Sequence, residues 1–134
     1  MNLQVIGIIT MANKKILIVD DNAKVRKDLH TLLQLMDQVE IIGEAANGEG
    51  AIQQVLVLNP DIVIIDPDMP GNGGYEAIRQ IKAIRSKHLI IALTIRSDHQ
   101  ARQRALDAGA DMFFVKGDDV LTMLESVRLP SPIF

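Results

Sequence analysis

A chain of 134 residues fits one ordinary domain, and with 48% hydrophobic but only 3% aromatic residues its core must be built from aliphatic side chains. The absence of Cys excludes a disulfide framework, thiol catalysis and cysteine-ligated metal. A net charge of −3 without a long basic run argues against direct nucleic-acid binding, and no apolar stretch approaches the ~18–20 residues of a membrane span.

Met1 to Thr10 is apolar, but no basic region precedes it and it is short for a signal peptide. Met11-Ala12-Asn13-Lys14-Lys15 reads as a second start. Residues 1–12 are therefore expected to be an extension, 13–129 the domain, and 130–134 a tail. Ile16-Leu17-Ile18-Val19 is a continuous apolar run ending in Asp20-Asp21. A helix follows, with Asn22 as N-cap and Val25, Leu29, Leu32, Leu33 and Met36 at helical spacing. Val39 to Glu44 reads as a short strand. Asn47-Gly48 opens a helix carrying Ala51, Ile52, Val55 and Leu56, and Asn59-Pro60-Asp61 ends it. Ile62-Val63-Ile64-Ile65 then runs into Asp66, as a strand buried on both faces does. Pro67 and Pro70 stop it, and Gly71, Gly73 and Gly74 are expected to form a loop.

Tyr75, Ile78 and Ile81 mark a third helix, to about Ser86. Leu89 to Thr94 is a fourth strand, Asp98 to Ala108 a thinly apolar fourth helix ended by Gly109, and Asp111 to Val115 a fifth strand ending at Lys116. A last helix places Val120, Met123, Leu124 and Val127 on one face, and Pro130 and Pro132 end regular structure. Five alternations of strand and helix with short connections mean α/β with a parallel sheet.

Functional groups collect at the strand ends: Asp20 and Asp21 after the first, Asp66 after the third, Thr94 on the fourth, Lys116 after the fifth. Ligands bind at that edge of an open parallel sheet. If the first strand lies beside the third, these groups converge. Two carboxylates ~4 Å apart repel by ~4 kcal/mol at an effective dielectric of ~20. Three acids together therefore need a cation or raised pKa values. Oxygen ligands without Cys or a local His favour a hard metal, with Mg²⁺ the leading candidate. Carboxylates, Mg²⁺ and a Lys together suit phosphoryl chemistry, with a carboxylate as nucleophile.

These residues carry a resemblance. Paired acids after the first strand, an acid after the third followed by Met69-Pro70-Gly71, Thr94, Ala108-Gly109-Ala110 and Lys116 together resemble the receiver domain of two-component response regulators, over about Lys14 to Leu129. The resemblance implies a flavodoxin-like (βα)5 single-domain, doubly wound parallel sheet with strand order 2-1-3-4-5, the order already known for a receiver protein. It implies that Asp66 accepts a phosphoryl group from a sensor histidine kinase or phosphotransfer protein. Asp21 and Asp66 would ligate Mg²⁺ directly, Asp68 through its backbone carbonyl and Asp20 through water. Lys116 would bond the phosphoryl group, the Thr94 hydroxyl would swing to it, and Phe113 occupies the place of the family's aromatic switch residue. The domain would be cytoplasmic and would control an output domain or partner protein, with a homodimer as one form open to it. It would be no enzyme beyond catalysing its own phosphorylation and dephosphorylation.

Two positions depart from the family pattern. Ile95 stands where a small residue is usual, and is expected to act as an access gate over Asp66. Gly117 follows Lys116 where Pro is common, so no cis peptide is implied there. Two other readings stay open: a degenerate receiver acting as a phosphorylation-independent interaction module, and a haloacid-dehalogenase-type phosphatase suggested by Asp66-Pro67-Asp68 but opposed by Pro70. His30, His88 and His99 read as solvated surface, as do Arg96, Arg102 and Arg104.

Overall fold

The computed structural model describes residues 13–84, 87–117 and 119–128. The expected extension, the tail and the end of the third helix at Ser86 lie outside the described residues. Strands β1 (Lys14–Val19), β2 (Val39–Ala45), β3 (Ile62–Ile65), β4 (Leu89–Thr94) and β5 (Met112–Val115) alternate with helices α1 (Ala23–Gln34), α2 (Gly48–Leu58), α3 (Gly73–Ile84), α4 (His99–Ala108) and α5 (Val120–Arg128). The strands form one parallel sheet in the order β2-β1-β3-β4-β5. This is the flavodoxin-like order expected.

Strand periodicity divides the core. Ile62 and Ile64 of β3 join Ile16, Ile18, Ile91 and Leu93 against Leu29 and Leu33 of α1 and Met123 and Val127 of α5. Their neighbours Val63 and Ile65 face the opposite way, with Leu17, Val19, Ile90 and Ala92, against α2, α3 and α4. Successive side chains of a strand point to opposite faces, so an unbroken aliphatic run is what a sheet covered on both sides requires. The fourth helix offers its core face as Ala101, Ala105 and Ala108, all buried, which lets it lie close to the sheet without bulk.

Helix caps sit beside the strand ends. Asn22 accepts from the Lys24 and Val25 amides at 2.9 and 3.2 Å, Asn47 from Gly50 at 2.7 Å and Asp98 from Ala101 at 3.1 Å. Each satisfies N–H groups a helix start leaves without partners. Asn59 (φ 50°) and Gly109 (φ 123°) end α2 and α4. The glycine loop is shorter than the sequence suggested. Pro70–Asn72 form a 3-10 turn, and Gly73 and Gly74 already belong to α3. Gly74 is there for packing: a Cβ would stand 2.6 Å from the Asp66 carbonyl oxygen and 2.5 Å from that of Pro67. His88 also departs from expectation. It is buried, its Nδ1 2.6 Å from the Pro60 carbonyl oxygen, because it opens β4 beside the residues leading into β3. No described peptide bond is cis.

Candidate functional site

Backbone hydrogen bonds carry the sheet ladder one residue past the strands. Asp20 N–H donates to the Ala45 carbonyl at 3.1 Å, Asp66 N–H to that of Val19 at 3.0 Å and Lys116 N–H to that of Thr94 at 2.8 Å. Three strands thus deliver their next residue at one edge, in fixed register. The carboxylates of Asp20, Asp21 and Asp66 offer oxygens within 4.8 Å of one another. Asp20 and Asp66 are buried at 2% and 7% exposure, whereas Asp21 faces solvent.

Lys116 answers the question of what pairs with these acids. Its Nζ donates to Asp20 Oδ2 and Asp66 Oδ2, both at 2.8 Å. The remaining oxygens are also engaged: Asp20 Oδ1 accepts from the Asn22 amide at 2.9 Å and Asp66 Oδ1 from the Asp68 amide at 2.8 Å. Arg26 donates to the Asp20 carbonyl at 2.6 Å and to Glu44 at 3.0 Å, closing one wall. Burial pushes the Asp66 carboxyl above its ordinary range, and the hydrogen bonds from Lys116 and the Asp68 amide only partly reverse this. Burial acts on Lys116 too, but bonds to two carboxylates outweigh it and hold the ammonium above its usual value. One cation serves two acids, so the lysine stays charged while Asp66 is left short of compensation.

The donor set fits a hard divalent cation. Three carboxylates of hard oxygen, one of them open to water, suit Mg²⁺, which keeps several waters and takes few protein ligands. Thr94 is fully buried, and its hydroxyl donates to Asp68 Oδ2 at 2.8 Å. Asp68 Oδ1 accepts from the Tyr75 hydroxyl at 3.3 Å and lies 3.6 Å from Arg96 Nη1. Arg96 also pairs with Asp98, at 2.9 Å. Arg104 stacks over the Tyr75 ring at 3.9 Å, and Arg102 lies 6.0 Å from the centre of the half-buried Phe113 ring. The three arginines are therefore engaged rather than simply solvated. Ile95 is 75% exposed and points away from the core.

Sequence reasoning missed Tyr75 as a polar participant. Its position at helical spacing with Ile78 and Ile81 explains the oversight, since the ring is indeed buried. Its hydroxyl was the available signal, because a buried Tyr O–H needs a partner and Asp68 is seven residues away.

A family profile for the response regulator receiver domain matches residues 16–128. The chain belongs to the response regulator receiver family. Response regulator GacA of Pseudomonas syringae pv. syringae is 33% identical over 115 residues, covering 86% of this chain and 54% of GacA. Transcriptional regulatory protein YdfI of Bacillus subtilis is 38% identical over 113 residues, 84% of this chain and 53% of YdfI. This receiver thus spans about half the length of the curated relatives it matches. Among solved structures, a LuxR-family two-component response regulator from Aurantimonas sp. SI85-9A1 superposes with a TM-score of 0.77 at 28% identity, covering 90% of this chain and 91% of that one. The CheX-CheY-BeF3-Mg+2 complex from Borrelia burgdorferi gives 0.76 at 29%, covering 89% and 92%. As a receiver the chain is a signalling domain. No helix among its described residues is long and apolar enough to cross a membrane.

Proposed function

We propose that this receiver takes a phosphoryl group onto Asp66 from a sensor histidine kinase or phosphotransfer protein, and that the modified state controls an output domain or partner. The observation that carries this reading is Lys116 Nζ held at 2.8 Å from both Asp20 and Asp66, with Asp21 open at the mouth. In the transfer, an Asp66 oxygen forms the new bond to phosphorus, and the bond to the donor's nitrogen or oxygen breaks with its electron pair leaving on the donor. Lys116 is poised to follow the charge from the carboxylate to the phosphoryl oxygens. Asp21, Asp66 and Asp20, with the Asp68 carbonyl, would hold Mg²⁺, which would supply positive charge to those oxygens. Asp66 is thereby a nucleophile consumed and regenerated within the same chain, and the domain catalyses only its own phosphorylation and dephosphorylation.

A phosphorylation-independent degenerate receiver is not favoured, because the acids and the lysine are assembled together. Transcriptional regulatory protein YdfI of Bacillus subtilis, of which the chain covers 53%, supports an output that acts on transcription. The helix α4 face with Phe113 is the surface proposed to report the switch, and a cytoplasmic location follows from a kinase donor. Intact-mass measurement after incubation with acetyl phosphate and Mg²⁺ tests the reading. The wild type gains one phosphoryl group and Asp66→Asn gains none; equal labelling of the two overturns it.

A further inference from the structure

The Thr94 hydroxyl already has an acceptor, and it is not Asp66. Its single proton goes to Asp68 Oδ2 at 2.8 Å, and the hydroxyl oxygen itself accepts from the Arg96 amide at 3.3 Å. A hydroxyl donates one hydrogen bond at a time. Thr94 can therefore serve the Asp68 carboxylate or a phosphoryl oxygen on Asp66, not both. The bond to Asp68 is charge-assisted, and such bonds are about twice as strong as neutral ones. Asp68 is itself fixed from the far side by the Tyr75 hydroxyl at 3.3 Å and by Arg96 at 3.6 Å. Tyr75 is buried and lies beneath the Arg104 guanidinium of α4.

We propose that the Asp68 carboxylate is a latch that holds Thr94 off the phosphoacceptor in the unmodified domain, and that Tyr75 relays its release to α4. This rests on the reading of Asp66 as phosphoacceptor. Capture of Thr94 by a phosphoryl oxygen removes one donor from Asp68. The carboxylate then turns further toward Tyr75 and Arg96, and the stacked Arg104 feels the change. Asp68 is a positioning residue here, acting through Thr94. The latch holds part of the population in a form that cannot engage the phosphoryl group, so it weakens apparent affinity by that fraction.

Beryllofluoride with Mg²⁺ is the probe, as a stable stand-in for the phosphoryl group, read by NMR at the Thr94 methyl and Arg104 Nε. Asp68→Ala keeps the backbone carbonyl and loses the latch. It should bind about three- to tenfold tighter, as expected for loss of one partly exposed charge-assisted bond. Its Thr94 methyl resonance, before any addition, should move toward the saturated wild-type position. Asp68→Asn, which still offers an amide oxygen, should fall between. Tyr75→Phe leaves the Thr94–Asp68 bond intact, so its affinity should stay within about twofold of wild type while Arg104 Nε stops responding to saturation. An unmoved Thr94 methyl with equal or weaker affinity in Asp68→Ala overturns the latch, and an unchanged Arg104 response in Tyr75→Phe overturns the relay. Failure of the wild type to bind the probe, or equal binding by Asp66→Asn, refutes instead the phosphoacceptor reading beneath both.

Discussion

Replacing Lys116 by Met tests the electrostatics of the site most directly. The lysine side chain is 16% exposed and the two carboxylates it bridges are 3% and 9% exposed. Met keeps the aliphatic stem and removes the charge. Breaking a buried pair costs ~3–5 kcal/mol, because the surviving charge is left uncompensated. Lys116→Met should therefore lose about 3 kcal/mol in urea denaturation at neutral pH without Mg²⁺. The pH dependence has a definite sign. The Asp66 carboxyl is raised above its ordinary 3.8 by burial, so its ionisation opposes folding; that penalty is absent below the ordinary value and sets in as pH rises through the folded one. Without Lys116 the penalty grows, so the deficit of the variant should shrink in acid, where Asp66 takes a proton. Lys116, raised above 10.5, contributes stability that is present below that value and lost as pH climbs through the folded one; the variant should lack this alkaline loss. Mg²⁺ should stabilise the variant more than the wild type, since it restores a cation to acids that have none. A loss under ~1 kcal/mol at neutral pH, or a deficit that persists in acid, would refute this reasoning.

Asp21→Asn changes a solvent-facing carboxylate, so stability should stay within ~0.5 kcal/mol while Mg²⁺ affinity falls by about tenfold, or ~1.4 kcal/mol; superimposable Mg²⁺ titrations would show that the acid pair only opens α1. Ile95→Ala should likewise leave stability within ~0.5 kcal/mol, because the side chain is 75% exposed. If Ile95 gates access, that variant should take phosphate from small donors and hydrolyse it about tenfold faster, and unchanged rates would remove the gate.

Much of the fold and the site is legible in the sequence. Ile16–Val19 of β1 and Ile62–Ile65 of β3 are aliphatic runs that end abruptly in acid, as strands buried on both faces do. Once β1 and β3 are neighbours, Asp20 and Asp66 must meet, and Lys116 is the strand-end cation that reaches both. The rest depended on contacts between elements distant in sequence. Gly73 and Gly74 looked like loop residues because glycine disfavours helices, yet Gly74 is imposed by the backbone of Asp66 and Pro67 pressing on the start of α3. His88 carried no periodic signal of burial, and only its place beside Pro60 takes it inside. The bond between Thr94 and Asp68 spans 26 residues and depends on a rotamer, which no local pattern encodes.

Lys116 also fastens the sheet in an unusual direction. Among the described residues the strand β5 lies at the edge, paired to β4 alone. Segments with few buried contacts and exposed backbone hydrogen bonds open at the lowest cost in native-state fluctuations. Here the residue that follows β5 reaches past β4 to Asp20 and Asp66, which follow β1 and β3. The last strand is thus tied to the middle of the sheet by a strap that skips its own neighbour. On the proposed phosphorylation of Asp66, any change in what Lys116 bonds would alter that strap, so the amide protection of Met112 to Val115 would serve as a gauge of the chemical state of the site, read as local stability rather than as shape.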